Sequence, residues 1–175
     1  MFCSREETAY FVEHASKITE NIYIGTSSAV QRTYLKCQLG ISHVVNCTMT
    51  PNPMLRDHFE VLHAKMQDEP YQDIVPQILR VVGFIRRAVI RKGKVLVYSD
   101  RGVSRSAAMV LAFLMDTRDI SYFEACILVK ERRYIIQPNR GFVRQLARWG
   151  ENRKALRNLT KVTQPDPAMR ACVRL

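Results

Sequence analysis

Lys94-Val-Leu-Val-Tyr-Ser-Asp-Arg-Gly-Val-Ser-Arg-Ser-Ala-Ala108 decides the fold. Val95 to Val97 form a short, nearly continuous apolar run, the pattern of a strand buried on both faces. A glycine-bearing loop follows, then a helix from Arg105 to about Met115 that is apolar on nearly every side and is expected at the centre of the core. Where a chain leaves a strand and curls into a helix N-terminus, successive backbone N–H groups lack carbonyl partners and converge on one point, which suits an anion. Gly102 lets the backbone approach closely, and Arg105 offers a two-pronged guanidinium to two phosphate oxygens. The expected phosphate-binding segment is therefore Ser99, Asp100, Arg101, Gly102, Val103, Ser104, Arg105 and Ser106. Arg105 also has a purely structural reading, in which it bonds the loop's own carbonyls. Asp100 runs against the pattern, because a carboxylate opposes phosphate unless it points outward or pairs with Arg101 or another basic side chain.

Working outward toward the N-terminus, Lys92-Gly93-Lys94 turns the chain into the central strand. Before it, Ile74, Ile78, Val81, Val82, Ile85 and Val89 recur at helical spacing up to about Arg91. A polar loop from Lys65 to Gln72, a strand near Phe59 to His63, a loop with two prolines from Thr48 to Pro53 and a strand Ile41 to Asn46 precede that helix. Gly40 ends a helix expected from a cap at Ser27-Ser28 through Leu39, and Ile18 to Gly25 reads as the entry strand. Residues 1–17 form an N-terminal extension in which Ala9 to Ala15 suggest a short docking helix. Toward the C-terminus, Ser121-Tyr-Phe-Glu124 reads as a capping box opening a helix to about Arg133. Pro138-Asn139 breaks the pattern. A last helix then buries Phe142, Leu146 and Trp149 and lines up Arg140, Arg144 and Arg148 in a basic stripe, and residues 158–175 read as a tail. The element order predicts one α/β domain over 18–157: a central, mostly parallel sheet with helices on both faces and the anion loop at its C-terminal edge.

The 175 residues suffice for one domain with a substantial core, and 47% hydrophobic with 25% charged residues is ordinary globular composition. The five cysteines are odd in number and lack the paired spacings of zinc sites or disulfide frameworks, so reduced thiols and no metal are expected. The opening residues carry no secretory apolar run, and Ser106 to Met115 is too short to span a bilayer. The expectation is a monomer in cytoplasm or nucleus. A net charge of +11 attracts phosphates and acidic peptides. From Lys130 to Arg157, nine basic residues, Arg133 and Arg153 among them, face only Glu131 and Glu151. No fold signature for nucleic acid accompanies this charge.

Ser99, five residues, Arg105 and Ser106, preceded by Val95-Leu-Val97 and followed by an alanine-rich helix, resembles the signature loop of the cysteine-dependent dual-specificity phosphatases. The resemblance runs from about Ile18 to Arg157. Asn21-Ile-Tyr-Ile-Gly25 is similar to that family's entry strand and Gly40-Ile-Ser-His-Val-Val-Asn46 to its second strand. Gln137-Pro-Asn-Arg-Gly-Phe142 is similar to the turn that braces the loop, with Asn139 as the bracing residue. The family has His-Cys where this chain has Tyr98-Ser99, and the serine resembles pseudophosphatases of the serine/threonine/tyrosine-interacting type.

The resemblance implies a set of roles. In active members a thiolate attacks phosphorus, the arginine and loop amides hold the oxygens, and an aspartic acid protonates the leaving group. Asp68, 31 residues before Ser99, aligns with that acid; read without the family it is a surface aspartate capping the helix near Tyr71. Asp73 is the poorer candidate, at the edge of the helix. A thiol's pKa of about 8.5 falls in such a cradle, whereas a serine needs a dedicated base. None is evident, since His14, His43, His58 and His63 lie on other segments. Ser106 resembles the hydroxyl that supports the thiolate as leaving group. The implied function is a catalytically inactive binder of phosphorylated or acidic signalling proteins, for example in MAP kinase pathways, without cofactor. The alternatives are a weakly active phosphatase and a phosphate-independent scaffold.

Overall fold

Alternation along the central strand builds two cores. The computed structural model describes residues 14–30, 35 and 37–162, with side chains through residue 155. Among these residues the strands are β1 (Ala15–Lys17), β2 (Ile22–Thr26), β3 (Ile41–Asn46), β4 (Glu60–His63) and β5 (Lys94–Ser99), in the order β1-β2-β5-β3-β4. The last four are parallel to one another and β1 is antiparallel to β2. The helices described over their whole length are α1 (Val75–Ile90), α2 (Arg105–Arg118), α3 (Tyr122–Lys130) and α4 (Arg140–Val162). Val95 and Val97 face a large core built with these four helices, with α2 wholly buried from Arg105 to Met115. Leu96 and Tyr98 face a smaller core closed by Ala29, Leu35, Leu55 and Phe59. Ile41 and Val44 reach that second core despite their odd spacing, because a register shift between Ile41 and His43 resets the alternation.

The expected strand from Ile18 is shorter and has a partner. Ile18 and Thr19 donate their N–H groups to the Ile22 carbonyl, turning polar Thr19-Glu20-Asn21 into the bend of a hairpin whose first arm is β1. Residues 15–17, read as part of an extension, thus belong to the sheet; of the suggested docking helix, residues 1–13 lie outside the described residues. The helix expected at Ser27 opens as a 3-10 turn, Ser27–Ala29, and its cap is Thr26, whose Oγ1 accepts the Ala29 N–H. Residues 31–34 and 36 of that helix lie outside the described residues. The Ser121–Glu124 capping box forms, but α3 stops at Lys130, three residues early. Beyond residue 157, α4 continues to Val162, since no proline intervenes before Pro165.

Parallel pairing brings the C-terminal ends of β2, β5 and β3 to one edge, where Ser99 lies opposite Thr26. The loop from Ser99 to α2 opens at that edge, beside the segment from Met66 to Gln72 and the turn before α4.

Candidate anion-binding site

Each carbonyl of the loop is bonded outward. Asp100 O accepts from the Ser27 N–H and hydroxyl (both 3.4 Å), Arg101 O from Arg133 Nη2 (3.5 Å), Gly102 O from Arg133 Nε (3.0 Å) and Val103 O from the Gln137 N–H (2.9 Å). In a trans peptide the next N–H points the opposite way, so the N–H groups of Arg101, Gly102, Val103 and Ser104 turn inward. Gly102 holds this curl at φ +64°, and a Cβ there would lie 2.7 Å from the Gly25 carbonyl oxygen.

Arg133 is the residue that sequence reasoning missed. Counted above among the nine basic residues from Lys130 to Arg157, it is 4% exposed, and its Nη1 also donates to Ser16 Oγ on β1 (3.1 Å). Burial lowers its pKa. The signal was there in the phase Ala125, Val129, Arg133, which continues the buried face of α3 by one turn. Arg153 is likewise engaged: it donates to the carbonyls of Met115 and Asp116, pairs with the Asp116 carboxylate and lies over the Trp149 ring. The stripe of Arg140, Arg144 and Arg148 is exposed.

Arg105 opens α2, with its side chain 10% exposed. It does not bond the loop's carbonyls. Its Nη1 donates to the Met66 carbonyl (3.3 Å) and its Nη2 to Asp100 Oδ2 (2.5 Å), while Nε is buried without a hydrogen-bond partner, 3.9 Å from Asp68 Oδ2. Asp100 thus pairs with the arginine expected to hold phosphate, and not with Arg101.

Asp68 is turned toward the loop. Its Oδ1 accepts from the Ser104 hydroxyl (2.5 Å) and from Asn139 Nδ2 (2.9 Å). Asn139 also donates its N–H to Ser104 Oγ (3.1 Å) and accepts the Phe142 N–H on Oδ1 (3.0 Å), as a helix cap does. Just before α1, Asp73 Oδ1 accepts the Val75 N–H, and the N-cap residue Ile74 has no side-chain cap. The Asp68 segment rests on Gly141, where a Cβ would overlap the Pro70 carbonyl.

Ser99 (2% exposed) lies at the end of β5, its Oγ 3.0 Å from that of Ser106 (0%). The histidines are occupied elsewhere: His43 with Ser42 and Glu60, His63 with the Thr48 carbonyl, and His58 edge-on to Phe59. Tyr98 points into the second core, and burial pushes its pKa up to about 12. Cys47 follows β3 with its N–H on the Tyr98 carbonyl, and burial pushes that thiol up to about 12 as well, with Arg105 opposing the shift. A buried, protonated thiol is no nucleophile.

No helix among the described residues is long and apolar enough to cross a membrane, and no group of three metal-ligating side chains forms among them.

Residues 22–152 match the family described as dual specificity phosphatase, catalytic domain. A probable serine/threonine-protein kinase of Dictyostelium discoideum is 44% identical over 89% of this chain, which spans 6% of that protein. Serine/threonine/tyrosine-interacting protein B of Xenopus laevis is 35% identical over 74% of this chain, which spans 61% of that protein. The chain thus covers less than two thirds of either relative. The crystal structure of the human tyrosine phosphatase-like serine/threonine/tyrosine-interacting protein superposes with a TM-score of 0.71 at 31% identity, over 78% of this chain and 95% of that one. By its family match, its sheet order and its loop, the chain belongs to the dual-specificity phosphatase family, with relatives of the serine/threonine/tyrosine-interacting type.

Proposed function

We propose that this domain is a catalytically inactive phosphatase-like module that binds phosphomonoesters on protein partners without hydrolysing them. One observation carries the reading: between Arg105 and a serine whose hydrogen-bond partner is another hydroxyl, the loop's carbonyls are bonded outward, so its N–H groups turn inward. These N–H groups and the guanidinium suit three phosphate oxygens. Phosphoryl transfer to Ser99 needs its proton removed, and the Ser106 hydroxyl is no base. Asp68, with Oδ1 accepting two hydrogen bonds, serves to hold Ser104 and Asn139 in place. A neutral Ser99 also spares a phosphate dianion the repulsion of a thiolate.

The test is calorimetric titration of phosphotyrosine and phosphothreonine peptides and their unphosphorylated forms, beside an aryl phosphate turnover assay. Phosphate-dependent binding without turnover is expected. Turnover that disappears in Ser99→Ala would overturn the inactive reading.

The Asp100–Arg105 pair favours a second reading, a scaffold that docks acidic segments with no phosphate in the loop. The exposed Arg140, Arg144 and Arg148 are its binding surface, and binding indifferent to phosphorylation supports it. Residence in cytoplasm or nucleus, as a monomer, goes with either reading.

A further inference from the structure

The side-on edge of a guanidinium is Nε with Nη2, the edge that takes two oxygens of one anion. In Arg105 only half of that edge is used. Asp100 bonds Nη2 through one oxygen, and Nε is the one buried side-chain polar atom among the described residues without a hydrogen-bond partner. The inward N–H groups of Arg101 to Ser104 are a second set of donors that the single Asp100 oxygen on Nη2 does not account for. Asp100 itself is 59% exposed on its side chain, so it can swing into solvent when an incoming anion takes its place on the buried Arg105 guanidinium.

Resting on the phosphate-binding reading above, we propose that Asp100 is the specificity-determining residue of this site, a resident carboxylate that sets the threshold a ligand must exceed. A partner's Asp or Glu brings a second oxygen for Nε, but it must displace Asp100, held at the high effective concentration of a tethered group, and its planar carboxylate has no third oxygen left for the inward N–H groups. Such a ligand gains little by displacing it. A phosphomonoester displaces Asp100 from Nη2 and also engages Nε and the inward N–H groups, so it recovers the lost contact from donors that Asp100 does not use. The ligand class is therefore a tetrahedral phosphomonoester, and acidic or phosphomimetic segments are excluded from the loop.

Asp100→Asn keeps the shape and removes the charge. The probes are inorganic phosphate, a phosphotyrosine peptide and the same peptide with Glu in place of phosphotyrosine, followed by the Arg105 Nε–H and the Arg101 to Ser104 amide NMR resonances. Wild type is expected to bind the phosphorylated probes and shift the Nε–H signal, and to leave the Glu peptide unbound at these resonances. Asp100→Asn is expected to bind all three between about ten- and a hundredfold more tightly, the worth of one charge-assisted hydrogen bond, bringing the Glu peptide into range. Equal phosphate affinity in wild type and variant overturns the threshold while leaving phosphate binding standing. Absence of phosphate binding in both, with folded spectra, overturns the phosphate-binding reading and this inference with it.

Discussion

Arg133→Met tests whether one buried side chain sets the shape of the anion loop. Methionine keeps most of the aliphatic stem and removes the guanidinium. The loss comprises the 3.0 Å bond to the Gly102 carbonyl and the 3.1 Å bond to Ser16, each from a charged donor; the 3.5 Å contact to Arg101 O counts for little. Bonds to charged groups contribute about 1.5–3 kcal/mol each, and the Gly102 carbonyl is left without a donor. Release of a buried cation into nothing more polar than a thioether returns part of that. A net loss of about 3 kcal/mol follows, equivalent to about 6–12 °C in Tm for a chain of this size. Urea unfolding of Arg133→Met beside Arg132→Met, its exposed neighbour, measures it. The control should stay within about 0.5 kcal/mol of the parent. If Arg133→Met matches the control, the guanidinium is not what holds the loop and the inward turn of its N–H groups has another cause.

Gly141→Ala should displace the Asp68 segment, because the added methyl lands on the Pro70 carbonyl; a fall of several degrees in Tm is expected, and unchanged stability would refute the contact. Ser99→Cys puts a thiol beside the Ser106 hydroxyl and the loop amides, so slow aryl phosphate hydrolysis should appear; adding Tyr98→His or Asp100→Asn should each raise it, and a silent, folded triple variant would show that the site has diverged further. Cys47 and Tyr98 have folded pKa values raised to about 12 from 9.0 and 10.0, so the stability of their neutral forms is complete below pH 9 and is lost as pH rises toward 12. The urea midpoint should drop as pH rises from about 9 toward 12, less steeply in Cys47→Ala; an equal slope in that variant would remove Cys47 as a cause.

The strand, loop and buried helix from Val95 to Met115 were legible because continuous apolar runs and a glycine leave few alternatives. The capping box at Ser121 was legible because it is local, with donor and acceptor three residues apart. What escaped was long-range. Whether Asp68 capped a helix or faced the loop depends on Ser104 and Asn139, 36 and 71 residues away, and no local pattern decides that. Asp100 was recognised as discordant, but its choice of Arg105 over its neighbour Arg101 is set by the curl of the loop. Arg133 and Arg153 were counted with the other basic residues because composition cannot separate a cation facing water from one serving backbone carbonyls.

Ser16 gives the hairpin at the sheet margin a mechanical part in the loop. β1 is three residues long, held on one side by β2, and it anchors the Arg133 guanidinium whose other nitrogens reach Gly102 and Arg101. Strand, side chain and loop therefore act as one tether. A force or a competing strand that peels β1 from the sheet slackens the cradle, even though β1 contributes no residue to it. Amide exchange at β1 and at Gly102 should accordingly rise and fall together.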